Sequence, residues 1–259
     1  MLREVRHGEG DHVAELVLDR PEALNAISTA FAKEIAAATE RLAQDPAVRA
    51  VVLSSAVERA FCVGADLKER NGLSDAELMA QRPITRGCYG GVLALPVPAL
   101  AAIEGFALGG GLELALACDL IVAGEHAQVG LPEVSVGLIP GGGGTQLLTR
   151  RVGWSRAASL IFTARRVPAA EAAALGILDE VVPAGTARDR ALELALMVAA
   201  NSPVGVRSAK RAMRLGADVD LATGLEVEDA AWRTTAFSAD RKEGVSAFTE
   251  HRRPRWPHV

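Results

Sequence analysis

The run GFALGGGLELALACDL, from Gly105 to Leu120, constrains this chain more than any other segment. A strand pattern over 97–103 leads into a glycine-started helix over 109–117, and another strand pattern follows over 120–123. Strands alternating with helices in this way favour an α/β core with mostly parallel strands. A second run, LPEVSVGLIPGGGGTQ from Leu131 to Gln146, again sets glycine turns in apolar sequence. Each run sets one glutamate in strongly apolar surroundings, Glu113 in the first and Glu133 in the second. A buried carboxylate is costly unless it is paired, protonated or at work. Backbone at a glycine can approach a ligand closely and aim bare N–H groups at it. Carboxylates beside an N–H trap are the parts needed to add or remove a proton next to a carbonyl.

Elsewhere in the first half, 13–18 reads as a strand ended by Arg20-Pro21, and 28–44 as a helix with Phe31, Ile35 and Leu42 on one face. Residues 50–53 form a short buried strand, and 61–65 form a turn leading into Asp66. The polar stretch from Gly72 to about Ile84 is the least periodic and is expected to be a mobile lid. Beyond Thr145 helical patterns dominate, at 144–150, 155–162, 169–175, 187–199, 204–215, 221–237 and 240–251. Leu221, Leu225, Glu228 and Trp232 share one helical face, so this tail either caps the α/β core or docks on another subunit. The final RRPRWPHV is broken by prolines and is expected to be irregular.

Charge and cysteine usage exclude several classes of function. The net charge is −4, with 24 arginines and four lysines mixed among the acids, so no basic domain or tail invites nucleic acid. Cys62, Cys88 and Cys118 form no CxxC pair and are odd in number, which argues against a disulfide framework and for a cytoplasmic protein. The N-terminus is polar, without the apolar stretch of a signal peptide. No run of about 18 apolar residues is free of charge or glycine, so no membrane span is expected.

Each motif has a plain structural reading beside its functional one. Gly109-Gly110-Gly111 is either tight strand-to-helix packing or a helix N-terminus offering N–H groups to a negative oxygen. Three glycines in a row cost more entropy than packing normally justifies, which favours the second. Gly64, in FCVGAD, reads on its own as an ordinary left-handed turn, and Cys62 as a small apolar packing residue. The Gly141–Gly144 loop lacks the Lys and Ser/Thr of a phosphate loop and reads as a close-approach turn. No metal-ligand spacing and no nucleophile motif is present, and the histidines lie mostly near the termini. Glu113 reads either as an arginine partner on a helix or as an active acid, and Glu133 as a helix-start acid or the second of a pair. Glu104, at a strand end, reads as structural.

The chain nevertheless resembles the crotonase (enoyl-CoA hydratase/isomerase) superfamily over essentially its whole length. The matching pieces are RPEALNAIS at Arg20, AFCVGADLKER at Ala60, LPVPALAAIEGFALGGGLELALACDL at Leu95, LPEVSVGLIPGGGGTQLLTRRVG at Leu131 and DRKEGVSAFTEHR at Asp240. FCVGADLKER and LATGLEVE look closest to the branch with methylglutaconyl-CoA hydratases. The resemblance implies a crotonase-like α/β spiral of ββα units over 1–200 and a helical trimerisation region over 201–259, assembled as a homotrimer or a dimer of trimers. It places the oxyanion-hole N–H groups on Ala65 and Gly110, and the two family acids on Glu113 and Glu133. Between them the acids would hold one water, Glu113 activating it and Glu133 handling the Cα proton. Coenzyme A contacts fall on Ala23, Leu24, Ala60, Gly64, Asp66 and Leu67, and no metal or separate cofactor is required. Where many hydratases carry a C-terminal lysine near the CoA phosphates, this chain has His251, Arg252 and Arg253.

Presence of both acids points first to a hydratase of 2-enoyl-CoA thioesters, as in fatty-acid β-oxidation. The other expectations kept open are a methylglutaconyl-CoA hydratase of leucine breakdown, an enoyl-CoA isomerase, and a non-catalytic acyl-CoA-binding subunit. An arginine among Arg70, Arg82 and Arg86 reaching inward would suit a carboxylated acyl group, although each reads equally as solvated surface charge.

Overall fold

The structure, a computed structural model, describes residues 1–257. His258 and Val259, the end of the tail expected to be irregular, lie outside the described residues. The chain opens with an antiparallel pair, β1 (Leu2–His7) and β2 (Val13–Leu18), followed by helix α1 (Thr29–Gln44). Ser28 caps α1, its hydroxyl accepting the Phe31 N–H at 3.2 Å. Three strand pairs then alternate between two sheets. They are β3 (Ala50–Ser55) with β4 (Ala60–Cys62), β5 (Ala99–Ile103) with β6 (Phe106–Leu108), and β7 (Leu120–Gly124) with β8 (Gln128–Gly130). Helices α2 (Leu67–Asn71) and α3 (Asp75–Leu93) follow the first pair, α4 (Gly110–Leu116) lies between the second and third, and α5 (Gly144–Val152) and α6 (Trp154–Thr163) follow the third. Each turn of this spiral is one ββα unit. A two-residue strand β9 (Val167–Pro168), helix α7 (Ala169–Leu175), strand β10 (Glu180–Val182) and helix α8 (Ala187–Ala199) complete the core.

The larger sheet runs β1-β2-β3-β5-β7-β10 and the smaller runs β4-β6-β8-β9. In the larger sheet every neighbouring pair after β1–β2 is parallel. Parallel strands are covered on both faces, which explains why β3, β5 and β7 read as continuous apolar runs rather than alternating ones. One face carries Val51, Leu53, Ile103 and Ile121 into the main core. The opposite face presents Val52, Leu100 and Val122 to α8, whose buried Ala187, Ala191, Ala195 and Ala199 form a stripe of small side chains that lets the helix lie close.

Two sequence expectations need correction. The stretch 72–84 is not an irregular lid: most of it belongs to α3, which begins with a full capping box. Ser74 Oγ accepts the Glu77 N–H at 3.3 Å and Glu77 Oε2 accepts the Ser74 N–H at 2.8 Å. The pattern was hidden because α3 buries Gln81 and Thr85 along with Cys88, Tyr89 and Val92, so half of its inner face is polar. Strand β1 was not foreseen, its residues being only partly buried, and neither were the two- and three-residue strands of the smaller sheet, which are too short for a period.

Beyond Pro203 the chain is helical: α9 (Pro203–Gly216), α10 (Leu221–Ala236) and α11 (Ala239–Thr249). Helix α10 packs on α9 yet buries none of its residues, and Leu221 and Trp232 stand 78% and 64% exposed. No helix among the described residues is long and apolar enough to cross a membrane.

Candidate active site

Stretches far apart in sequence meet at one cavity of about 800 Å³. Its walls are the loop at Leu24, the turn 63–65 after β4, helices α2 and α3, the start of α4, and the 3-10 turn Glu133–Val136 with the glycine loop behind it.

The first loop is pinned by Asn25, which is fully buried with a left-handed backbone (φ 58°). Its amide donates to Phe61 O at 2.9 Å and to Ser55 Oγ at 2.8 Å, and its Oδ1 accepts the Arg20 N–H at 2.7 Å. The strap fixes the turn beside β4. There Ile27 N–H donates to Gly64 O at 2.7 Å and Asp66 N–H to Ile27 O at 3.1 Å. This parallel bridge uses the groups on either side of Ala65, and the Ala65 N–H itself makes no backbone hydrogen bond. Gly64 has φ +96° and meets the start of α4 so closely that a Cβ on it would come within 2.9 Å of Leu108 O. Gly110 opens α4, so its N–H is one of the groups a helix start leaves without an intrahelical acceptor. A Cβ on Gly110 would lie 3.4 Å from Gly64 Cα. The Ala65 and Gly110 amides therefore stand side by side at the cavity wall.

Glu113 lies one turn along α4 from Gly110 and is 3% exposed. It is paired with no arginine. Its Oε1 accepts the N–H groups of Gly142 and Gly144 at 2.6 and 2.8 Å, so the close-approach turn 141–144 turns out to be a cradle for this acid. Burial pushes its pKa above the ordinary carboxylate value, and the Gly144 and Gly142 amides and nearby Arg82 pull against that rise. Glu133 starts the 3-10 turn, and its Oε2 is buried without a hydrogen-bond partner among the described residues. Burial pushes its pKa up to about 7; a hydrogen bond to its own backbone opposes that rise, the Glu113 charge adds to it, and Arg70 pulls more weakly against it. One acid is held by two glycine amides, and its neighbour keeps one carboxylate oxygen unpartnered among the described residues.

The structure thus brings Glu113, Glu133, Ala65, Gly110, Gly64, Leu24 and Leu67 around one cavity. Three of the expected coenzyme A contacts do not line it. Ala60 is fully buried, its N–H on Val57 O at 3.1 Å and its carbonyl on Ser55 Oγ at 2.7 Å. Ala23 sits outside, in the 3-10 turn before Leu24. Asp66 is occupied, capping α2 through Lys68 and Glu69 and pairing with Arg20 at 2.8 Å. Cys62 is a packing residue as read: its thiol donates to Asn25 O at 3.0 Å, and burial pushes its pKa up to about 12. Glu104 is structural too, accepting the Ala187 N–H at 3.1 Å. Arg252 is tied to Glu243 and Glu250 of its own helix end, both at 2.6 Å.

Of the three arginines considered, Arg70 and Arg82 line the cavity and Arg86 does not. Arg82 donates to Gly141 O at 2.6 Å, so it braces the glycine cradle from α3. Sequence reasoning passed over Asn25, Tyr89 and the apolar rim of Leu78, Met79, Val136, Leu138 and Ile139. Asn25 and Tyr89 stand in helical or turn patterns that a burial-based reading treats as packing, and the rim residues are exposed and widely spaced in sequence.

Comparison with known proteins bears on the family and the fold. A family model described as enoyl-CoA hydratase/isomerase matches residues 8–258. The chain is 43% identical over 247 residues to a protein of Arabidopsis thaliana named probable enoyl-CoA hydratase 2, mitochondrial, covering 95% of this chain and 82% of that one. It is 42% identical over 258 residues to the mitochondrial methylglutaconyl-CoA hydratase of Mus musculus, covering 97% and 82%. A crystal structure of an enoyl-CoA hydratase from Bacillus anthracis superposes with a TM-score of 0.96 at 40% identity, covering 100% of this chain and 99% of the other.

Proposed function

The chain belongs to the enoyl-CoA hydratase/isomerase family, and from that premise we propose that it adds water across the 2,3 double bond of a 2-enoyl-CoA thioester. The observation that carries this reading is the unequal pair of acids beneath two free amides. The thioester oxygen would accept the Ala65 and Gly110 N–H groups. Polarised this way, the conjugated system takes a nucleophile at Cβ while negative charge collects on that oxygen. Glu113, whose charged form the Gly142 and Gly144 amides favour, takes a proton from water as the water oxygen bonds to Cβ. Glu133, with a pKa of about 7, carries a proton at neutral pH in a large fraction of molecules and delivers it to Cα, collapsing the enolate. In the dehydration direction the roles reverse, which suits a pair whose environments push their affinities for protons apart.

The apolar rim favours a hydrocarbon acyl chain over a carboxylated one, and Arg82 is already engaged with Gly141 O. Arg70 is the observation that favours the second reading, a 3-methylglutaconyl-CoA hydratase, because it puts a cationic residue in the cavity lining. Loss of the conjugated enoyl-thioester absorbance separates the two. Faster turnover of crotonyl-CoA is expected; a clear preference for 3-methylglutaconyl-CoA would transfer the assignment to the second reading. The exposed face of α10 supports association into a trimer or a dimer of trimers through the C-terminal helices, and three buried free thiols suit a reducing compartment such as the cytoplasm.

A further inference from the structure

Tyr89 is the single tyrosine of the chain and lies on α3. It is 7% exposed, and its ring is pressed against the glycine cradle: a Cβ on Gly142 would come within 2.6 Å of its Cδ2 and Cε2. Its hydroxyl extends beyond that contact to the start of α4, where a Cβ on Gly110 would stand 2.3 Å from the phenolic oxygen. Glycine at 110 therefore does two things: it exposes an amide, and it leaves room for this hydroxyl. Buried tyrosine hydroxyls normally find a hydrogen-bond partner. The Tyr89 hydroxyl has none among the described residues, and Tyr89 lines the cavity together with Gly110 and Glu113. Burial, with the nearby Cys88 and Glu113 adding to it, holds its pKa well above the ordinary tyrosine value. The phenol keeps its proton and is available only as a donor or a neutral acceptor.

We propose that Tyr89 is a catalytic residue whose hydroxyl donates to the thioester oxygen of the bound acyl-CoA, as a third donor beside the amides of Ala65 and Gly110. This rests on the reading that an enolate forms there. No bond to Tyr89 is made or broken. As water oxygen bonds to Cβ, the π pair moves onto the thioester oxygen, the phenolic hydrogen bond shortens, and the proton stays on Tyr89. Protonation of Cα then returns the pair to the carbon framework.

The test is Tyr89→Phe, which keeps the ring against Gly142 and removes one oxygen. Two readouts are compared with the unaltered protein: hydration of crotonyl-CoA, and exchange of the Cα hydrogens of butyryl-CoA in D2O followed by NMR. The exchange forms the enolate with no water added at Cβ. Both rates should fall on the order of 10-fold or more, with KM little changed, because loss of an oxyanion donor acts on the transition state. A turnover-independent check is the red shift of a bound 2,4-dienoyl-CoA, which reports carbonyl polarisation and should be smaller in the variant. Unchanged exchange with an unchanged red shift overturns the proposal, even if hydration slows, since the hydroxyl would then serve the water. If the unaltered protein neither hydrates nor exchanges, the hydratase reading fails and this inference with it. Normal activity in both proteins removes this inference alone.

Discussion

Glu15 and Glu133 are both acids taken out of water, and they have opposite fates. Glu15, in the middle of β2, is fully buried and fully answered. Ser54 Oγ donates to it at 2.6 Å, Arg188 grips it with two donors at 2.6 and 2.7 Å, and His7 lies 2.8 Å away. Burial pushes its pKa up, but the Arg188, Ser54 and His7 hydrogen bonds outweigh that and hold it below the ordinary value. Glu133 has one buried oxygen, Oε2, with no partner among the described residues, and burial raises its pKa to about 7. A folded protein satisfies its buried charges unless something else requires them bare. The first arrangement suits stability; the second, on the function proposed above, suits moving a proton.

The comparison breaks most visibly at the acids themselves. Glu113→Gln and Glu133→Gln should each lower the kcat of crotonyl-CoA hydration by about 10²–10⁴-fold, the usual contribution of a positioned acid or base. Near-normal hydration in either variant would remove the two-acid mechanism. Glu15→Gln, by contrast, should leave kcat essentially unchanged in the folded protein. The second break is structural. Arg188→Met strands the buried Glu15 carboxylate with only Ser54 and His7 as partners. Orphaning a buried charge typically costs about 3–5 kcal/mol, and the partial exposure of Arg188 places the expected loss at the lower end. Urea unfolding at neutral pH measures it; a loss under about 1 kcal/mol would show that Arg188 is not what stabilises that charge.

Much of this architecture was legible from the chain. The glycine run with Glu113 marked the buried helix start, and the apolar runs at 50–53, 97–103 and 120–123 marked strands. The motifs of the resemblance placed both acids and both amides in advance. What stayed hidden was relational. Helix α3 has a half-polar inner face, so no apolar period announced it. The role of the 141–144 loop depended on where Glu113 Oε1 lies, which is a contact across 29 and 31 positions. Tyr89 carries no local pattern at all: its meaning comes from Gly110 and Gly142 leaving space around it. The Asp66 carboxylate sits in a recognisable motif, yet the structure gives it to Arg20 and the α2 start rather than to the cavity. Which motif residues share one cavity could be read ahead, whereas the division of hydrogen bonds between neighbouring polar groups needed the fold.

The smallest expected effect sharpens the contrast through pH. The raised pKa of Glu133 means that the folded state holds its proton where the unfolded chain has already released it. Between an unfolded pKa of about 4.3 and the folded value of about 7, the folded state binds more protons, so stability falls as pH rises through that window. Below the window both states are protonated and the effect vanishes. Glu15 behaves with the opposite sign: its contribution is present above the unfolded pKa and is lost as acid carries it through its lowered folded pKa. Glu133→Gln should therefore match the unaltered protein near pH 4.5 and exceed it at pH 8, by on the order of 1 kcal/mol once partial exposure is allowed for. Glu15→Gln should be less stable at pH 8, with the gap closing toward acid. Thermal unfolding of the two variants across pH measures both curves. Parallel curves would mean that Glu133 is neutralised by a partner in solution, and its place as the proton carrier would then pass to Glu113.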